Sequence, residues 1–401
     1  MQEHADTTIP AGFEGSAQAA RLIEDIRAFI ARELVPLAQR LGVDQEHGAE
    51  RETLRAVWRL SHEAGFYGIT LPRAMGGLGL SVVDHLLVKE AIYASGSPFA
   101  PHILGELSGP PRLGALVRAA TPYHLEHYIK PVAQAQKSVC FAITEVQAGS
   151  DAGALQTRAR RDGEHYVLDG RKRFISGSPF ADCAVILAST AEPGSTEREV
   201  TAFFVDLDQP GARVESDYKT MAGQSSTGDI VLENCRVPVR NLIGEPGRGL
   251  GMALGRINVN RVLHCAGMLG LARLALDDSL KYARERQQFG KPIATFQAIQ
   301  HMLADMATDL AAARGLMLAT GRALDAGVAV RAEASMSKLF CSEAAFRIAD
   351  RAVQIHGGEG IVQGRRVEFL FRVLRMYRVL TGTSEIQRNT IARELLGQPA
   401  Q

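Results

Sequence analysis

The sequence predicts an α+β chain in three parts, helical, then β, then helical, and changes in the periodicity of its apolar residues mark the parts. Residues 17–129 carry a helical pattern, as in Leu22, Ile26, Phe29 and Ile30, followed by Leu34, Leu37 and Leu41. Residues 138–241 break instead into short β-rich runs, SVCFAITE, HYVLDG, CAVILAS, VTAFFVDL and DIVLENCRV. Beyond GEPGRGLG the pattern turns helical again. Val262, Ala266, Leu269, Ala272, Leu276 and Leu280 step by three and four, which puts one apolar stripe on a helix reaching about residue 287.

Each part has its own punctuation. In the first, LPRAMGGLGLSVVD interrupts the helices with Pro72, Gly76, Gly77 and Gly79, and Ser81 reads as the N-cap of the next helix. In the second, Asp162-Gly163 and Asp169-Gly170 fall between β runs, and Asp-Gly suits the positive φ of tight hairpin turns, so a compact antiparallel domain is expected. In the third, helices are expected over 296–326, 331–356 and 383–396. The resulting division is 1–133, an N-terminal helical domain; 134–245, a central antiparallel β-barrel or sandwich; and 246–401, a C-terminal four-helix bundle.

Composition narrows the function. With 401 residues, 46% hydrophobic and 22% charged, the chain can bury a large core in two or three packing units. Lys plus Arg number 45 and Asp plus Glu 44, so no basic footprint for nucleic acid or an anionic membrane is present. The five cysteines, Cys140, Cys183, Cys235, Cys265 and Cys341, stand singly without metal-ligand spacing and read as buried free thiols, and no metal site is expected. No signal peptide, anchor or membrane span is visible, and a soluble, cytoplasmic protein is expected. G-x-x-x-x-G-K-[ST], G-x-S-x-G and H-E-x-x-H are all missing, and the glycines of GEPGRGLG read as a sheet-to-helix connection rather than a phosphate loop.

More specific are FAITEVQAGSDAGALQTRA at 141–159, DGRKRFISGS at 169–178 and, in the last part, RERQQFGKPIATFQAIQ, VQIHGGEG and TGTSEIQR. Together with LPRAMGGLGLSVVD these resemble the acyl-CoA dehydrogenase family over nearly the whole chain. The resemblance implies FAD as cofactor, an acyl-CoA or acyl-carrier thioester as substrate, and α,β-desaturation in fatty acid metabolism. Electrons would pass to an electron-transferring flavoprotein. It also implies a homo-oligomer, a tetramer built as a dimer of dimers. Phe141, Ile143 and Thr144 would lie along the flavin, Gly149 and Ser150 would meet FAD and the neighbouring ligand, and Phe174 would stand where the family has tryptophan. The Ser176 hydroxyl would serve the flavin N5 in place of the usual threonine. Arg286 matches the arginine that reaches the FAD pyrophosphate of a neighbouring subunit, a target suited to a guanidinium fork. Phe289, Gln297, Gln354 and Gly358 match other dinucleotide contacts across that interface, and Thr383 is a further cofactor-binding position that the resemblance implies.

The family base, a glutamate before Gly-Thr-Ser, is replaced by Thr381. The alternative glutamate position, directly before an arginine, is Asn260 before Arg261, and neither residue is an acid. A neutral alcohol needs a partner to accept a proton at pH 7. A Thr381 N–H would still polarise the thioester carbonyl. His102 and Glu106, four apart in PHILGELSGPPRLG, offer a relocated acid if that segment is helical, against a plain structural role. Two other readings stay open: a flavin-dependent monooxygenase or base-free elimination on the same scaffold, and a non-catalytic or partner-completed acyl-CoA-binding subunit.

Overall fold

The computed structural model describes residues 15–192, 199–223 and 225–398. In chain order its main elements are helices α1 (Ala17–Phe29), α2 (Val35–Leu41), α3 (Arg51–Glu63) and α4 (Val82–Ala94), then eight strands. These are β1 (Val139–Ala142), β2 (Arg158–Asp162), β3 (His165–Ser176), β4 (Cys183–Ser189), β5 (Val200–Asp206), β6 (Ala212–Tyr218), β7 (Thr227–Pro238) and β8 (Leu242–Ile243). Helices α5 (Gly249–Glu285), α6 (Gln297–Asp325), α7 (Arg331–His356), α8 (Arg366–Met376) and α9 (Ser384–Leu395) follow. The helical, β, helical order is the α+β fold expected. The described residues form two compact units: a helical unit of those up to Pro36, Leu80–Ser97 and those from Asn258 on, and a β unit of Leu37–Gly79 and Pro98–Ile257.

In the β unit the sheet runs β6-β7-β3-β2-β4-β5-β8, with β1 added beside β4. Most pairs are antiparallel, but β1 pairs β4 in parallel, with Val139 opposite Cys183 and Ala142 opposite Ile186. The pleat sorts β4 between two cores. Val185 and Leu187 pack with Val139, Phe141, Phe204, Tyr128 and Val132, whereas Ala184 and Ile186 pack with Ala142, Leu168, Phe203, Ile230 and Leu232. Burial on both faces explains why CAVILAS is apolar without alternation.

The two Asp-Gly pairs separate in the structure. Asp162-Gly163 does turn the β2–β3 hairpin, with Gly163 at φ +58°. Asp169-Gly170 does not: it lies inside β3 at a bulge, with Gly170 at φ +154°. A Cβ there would lie 2.5 Å from Thr157 Oγ1, so glycine is required by a close crossing and not by a turn. Between residues 98 and 121 the helical pattern breaks into short turns, where prolines at 98, 101, 110 and 111 interrupt the backbone ladder, and residues 122–133 then form one short helix with a π-helical middle. Strands β2, β6 and β8 and helix α8 were not among the expected elements.

In the helical unit, Ser16 caps α1 by accepting the Ala19 N–H at 3.1 Å, and its own N–H and hydroxyl donate to Asp84 on α4 at 2.9 and 2.7 Å. Ser81 caps α4 as expected, accepting from the Asp84 N–H at 3.0 Å. Of the apolar stripe on α5, Val262, Ala266, Leu269, Ala272 and Leu276 are buried and Leu280 is half-buried. The stripe that begins on α1 continues through Ile30 and Leu34 in the π-helical segment Ile30–Leu34 and then fades on α2, with Leu37 half-buried and Leu41 exposed.

A buried ion pair fixes the segment after β1. Lys172 on β3 has no exposed surface, and its ammonium donates to Glu145 at 2.7 Å and to the Ile143 carbonyl at 3.3 Å. Glu145 also accepts the Gln156 N–H at 2.6 Å, the Thr157 N–H at 3.0 Å and the Thr157 hydroxyl at 2.5 Å. Burial raises the Glu145 carboxyl, but the Lys172 charge and these donors outweigh it and hold the group below the usual glutamate range. Lys172→Met strands this carboxylate in the core. It should lower unfolding stability of the β unit by about 3 kcal/mol in urea titrations, and a loss under about 1 kcal/mol would contradict the account.

Candidate active site

The β-unit residues assigned to the cofactor cluster along β1 and the end of β3. Phe141 is buried in β1, with the Arg256 guanidinium 4.4 Å from its ring centre. The chain then leaves the sheet, and the Thr144 carbonyl accepts the Arg173 N–H at 2.8 Å. With the Lys172 contact to Ile143, this clamps 143–145 against β3. Phe174 sits at φ +56° in a register break between Lys172 and Ile175, and is 53% exposed. A left-handed phenylalanine costs on the order of 1 kcal/mol or more, and here it turns an aromatic ring out of the sheet. Arg173 lies 4.8 Å over that ring, and Tyr218 packs beside it at 4.9 Å. Ser176 and Thr144 are half-buried, and neither hydroxyl has a hydrogen-bond partner among the described residues. Gly149 and Ser150 are exposed, with open space where a Gly149 Cβ would be.

His102 and Glu106 do not form the pair expected of a helix. The helical turn Ala100–Ile103 ends at Leu104, and Gly105 at φ +74° redirects the chain before Glu106. His102 is buried, and its Nδ1 accepts the Trp58 indole N–H at 3.2 Å. Burial pushes its pKa down to about 3, so it stays neutral and serves as a structural acceptor.

In the helical unit the turn before α9 carries Thr381. Its φ is +56° and that of Gly382 is +89°, so two successive residues are left-handed. The Lys338 ammonium on α7 donates to the Gly382 carbonyl at 2.7 Å, and the Gln387 amide donates to the same oxygen at 3.0 Å and to the Thr381 carbonyl at 3.3 Å. Thr383 caps α9 by accepting the Ile386 N–H at 3.3 Å, and the Ser384 N–H returns to the Arg378 carbonyl at 3.0 Å. A Cβ on Gly382 would stand 2.7 Å from Gln387 Nε2, so the turn requires glycine there. Arg261 on α5 is buried and donates to Asn258 at 2.9 Å and Ser335 at 3.3 Å, and Asn260 beside it is half-buried.

Thr381 is not an isolated alcohol. Its Oγ1 lies 2.7 Å from Nδ1 of His264 on α5. The sequence reading passed over His264, although it stands one helical turn beyond Asn260, the alternative base position. That spacing was the signal that could have found it.

The residues expected to serve a neighbouring subunit lie elsewhere on the helical unit. Arg286, Phe289 and Gly358 line a cavity of about 720 Å³ with Tyr282, Ile299 and His356. Phe289 tops a two-residue turn at φ +52°, and it is 92% exposed. Gln297 and Gln354 are exposed on α6 and α7, next to the lining residues Ala298 and Ile355. No group of three or more His, Cys, Asp or Glu suited to a metal occurs among the described residues, and no helix there is long and apolar enough to cross a membrane.

Three family models match in succession: the N-terminal domain of acyl-CoA dehydrogenase over residues 16–136, its middle domain over 140–235 and its C-terminal domain over 247–396. The chain belongs to the acyl-CoA dehydrogenase family. It is 37% identical over 374 residues to a 3-(aryl)acrylate reductase of Clostridium sporogenes, covering 92% of this chain and 96% of that one. It is 39% identical over 335 residues to the caffeyl-CoA reductase-Etf complex subunit CarC of Acetobacterium woodii, covering 83% and 87%. A glutaryl-CoA dehydrogenase from Mycobacterium smegmatis, solved in complex with FADH2, superposes with a TM-score of 0.83 at 25% identity over 96% of each chain.

The donor set on the β unit fits a flavin: two hydroxyls without a partner among the described residues, an outward aromatic wall and an open glycine beside clamped backbone.

Lys338 is fully buried, and burial pushes its pKa down to about 8, with Cys265 pulling upward and Arg261 adding to the depression. Between that value and the ordinary lysine value the unfolded chain holds a proton that the folded one has released, so this group adds stability as pH rises. Relative to Lys338→Met, the wild-type protein should therefore gain up to about 3 kcal/mol between pH 8 and pH 10.5, read by urea unfolding at both pH values. A constant difference would show that the ammonium is not strained by burial.

Proposed function

We propose that this protein is an FAD-dependent oxidoreductase that adds or removes hydrogen across the α,β carbon–carbon bond of an acyl-CoA thioester and exchanges electrons with an electron-transferring flavoprotein. The observation that carries this reading is the left-handed Thr381-Gly382 turn, held by Lys338 and Gln387 at the position the family gives to its proton-abstracting residue. When bound, FAD supplies the acceptor or donor for the β-hydrogen.

The protein's own residues hold and orient. Phe141, Ile143 and Thr144 offer backbone and hydroxyl contacts to one edge of the isoalloxazine, and Ser176 offers its hydroxyl to N5. Phe174 walls the ring, while Gly149 and Ser150 leave room for the rest of the cofactor. Arg286, with Phe289, Gln297, Gln354 and Gly358, serves the pyrophosphate side of a second copy, so the working form is a homo-oligomer. A diphosphate suits the guanidinium at the rim of the 720 Å³ cavity. The Thr381 N–H, which has no acceptor among the described residues, polarises the thioester carbonyl.

The names of the two relatives, a 3-(aryl)acrylate reductase and a subunit of a caffeyl-CoA reductase-Etf complex, support reduction of a conjugated double bond as a second reading of direction, and the second of them supports a thioester as the substrate. Anaerobic titration of the purified yellow protein separates the two. Bleaching of the flavin by a saturated acyl-CoA marks a dehydrogenase, and reoxidation of the dithionite-reduced protein by an enoyl- or arylacryloyl-CoA marks a reductase. No response to either class, or a colourless protein that takes up no FAD, overturns the proposal. Arg286→Ala should weaken FAD retention at least tenfold in equilibrium dialysis without lowering the thermal midpoint of the FAD-free protein, and undiminished retention would remove Arg286 from the site.

A further inference from the structure

We propose that Thr381 and His264 form a two-residue proton relay that does the work of the missing carboxylate, the hydroxyl meeting the substrate α-carbon and the imidazole storing the proton. This rests on the thioester reading above. The 2.7 Å contact joins Thr381 Oγ1 to Nδ1, and an alcohol can serve that nitrogen in either protonation state. With neutral imidazole, the hydroxyl donates to Nδ1 and leaves an oxygen lone pair toward the site. With imidazolium, Nδ1–H donates to Oγ1 and turns the hydroxyl proton outward. The first state is a poised base and the second a poised acid, and one proton interconverts them.

In the oxidative direction the Cα–H bond breaks and its proton joins Thr381 Oγ1 as the hydroxyl proton passes to His264 Nδ1. FAD, when bound, would accept the β-hydrogen with its electron pair, and the Cα=Cβ bond would form. In the reductive direction each movement reverses: hydride reaches Cβ, the hydroxyl proton reaches Cα, and Nδ1 replenishes the hydroxyl. Because both transfers occur together, no alkoxide accumulates.

Geometry supports the pair beyond its single contact. Thr381 is held left-handed in a turn tied by Lys338 and Gln387, and His264 stands on α5, which Arg261 ties to Ser335 of α7. Both partners are half-buried, neither sealed in the core nor free in solvent. The charged and titratable groups that act on the neighbouring α7 residues Lys338 and Glu343 are Arg261 and Cys265 on α5, Arg378 ahead of the turn, and Glu385 and Arg388 on α9. Glu343 is held below the usual glutamate range: burial raises it, but hydrogen bonds from Ser384 and Arg378 prevail. It remains charged and leaves the relay to the imidazole.

The test uses the FAD-loaded enzyme with the thioester that bleaches or reoxidises it, comparing wild type with His264→Gln, Thr381→Val and the double variant. Each single change should lower the flavin half-reaction rate on the order of 10²–10⁴-fold, the range of one general base. The double variant should be no worse than the poorer single, because the two residues act as a unit. Thr381→Ser should recover rate relative to Thr381→Val. The wild-type rate should show an inflection in the imidazole range, about pH 5–8, that vanishes in His264→Gln. An inflection surviving in His264→Gln belongs to Lys338 or another neighbour and overturns the relay. In FAD-free, ¹⁵N-histidine-labelled protein, the His264 ring nitrogens should titrate in that same range, about pH 5–8, with a midpoint that moves in Thr381→Val. A ring that does not titrate overturns the relay regardless of turnover. Full half-reaction rates in His264→Gln overturn the relay alone, whereas no response of wild type to any thioester overturns the thioester reading with it.

Discussion

The Lys338 ammonium on the Gly382 carbonyl is the contact on which the proposed chemistry depends. Two successive left-handed residues, one of them a β-branched threonine, do not persist in a turn unless surrounding bonds over-determine it. Lys338 and Gln387 together hold this one oxygen, and the Thr383 cap fixes where α9 begins. With the backbone so held, the Thr381 hydroxyl meets His264 at hydrogen-bond distance and the Thr381 N–H is left without an acceptor among the described residues. The energy that strains Lys338 by burial is the cost of a rigid turn.

The β unit uses the same device for a different purpose. Lys172 is also a fully buried lysine, but it meets a carboxylate, and Glu145 in turn gathers the donors of residues 156 and 157. The pair immobilises the stretch from Ile143 to Glu145, while the adjacent register break rotates Phe174 outward. A buried charge that organises a loop explains why a polar contact is retained where an apolar pair would cost less to bury.

How much of this was legible in the sequence varied with the range of the interaction. Local chemistry announced itself: Ser81 as a cap, the Asp162-Gly163 turn and the apolar stripe on α5. Context-dependent features did not. Asp169-Gly170 has turn chemistry but sits in a bulge, because what demands glycine there is the approach of Thr157, twelve or more residues away. His102 and Glu106 have helical spacing, but their helix lasts a single turn. His264 and Thr381 are 117 positions apart, and nothing in either neighbourhood names the other. Their meeting is a property of packing between α5 and the turn before α9. Reading Thr381 as a lost base followed from the chain alone; reading it as half of a pair required the fold.

The account's central claim is that this turn exchanges a proton with the α-carbon of a thioester. Washout of α-hydrogen measures that event without requiring net electron flow. The holoprotein would be incubated anaerobically in D2O with a 3-thia-acyl-CoA, whose α-protons are acidified but whose β-position carries no hydrogen to give up, and the thioester examined by mass spectrometry. The account predicts deuterium at Cα, incorporated at a rate that collapses on removal of either the Thr381 hydroxyl or the His264 ring. Bound thioester that acquires no deuterium, or acquires it equally fast in both variants, would contradict it.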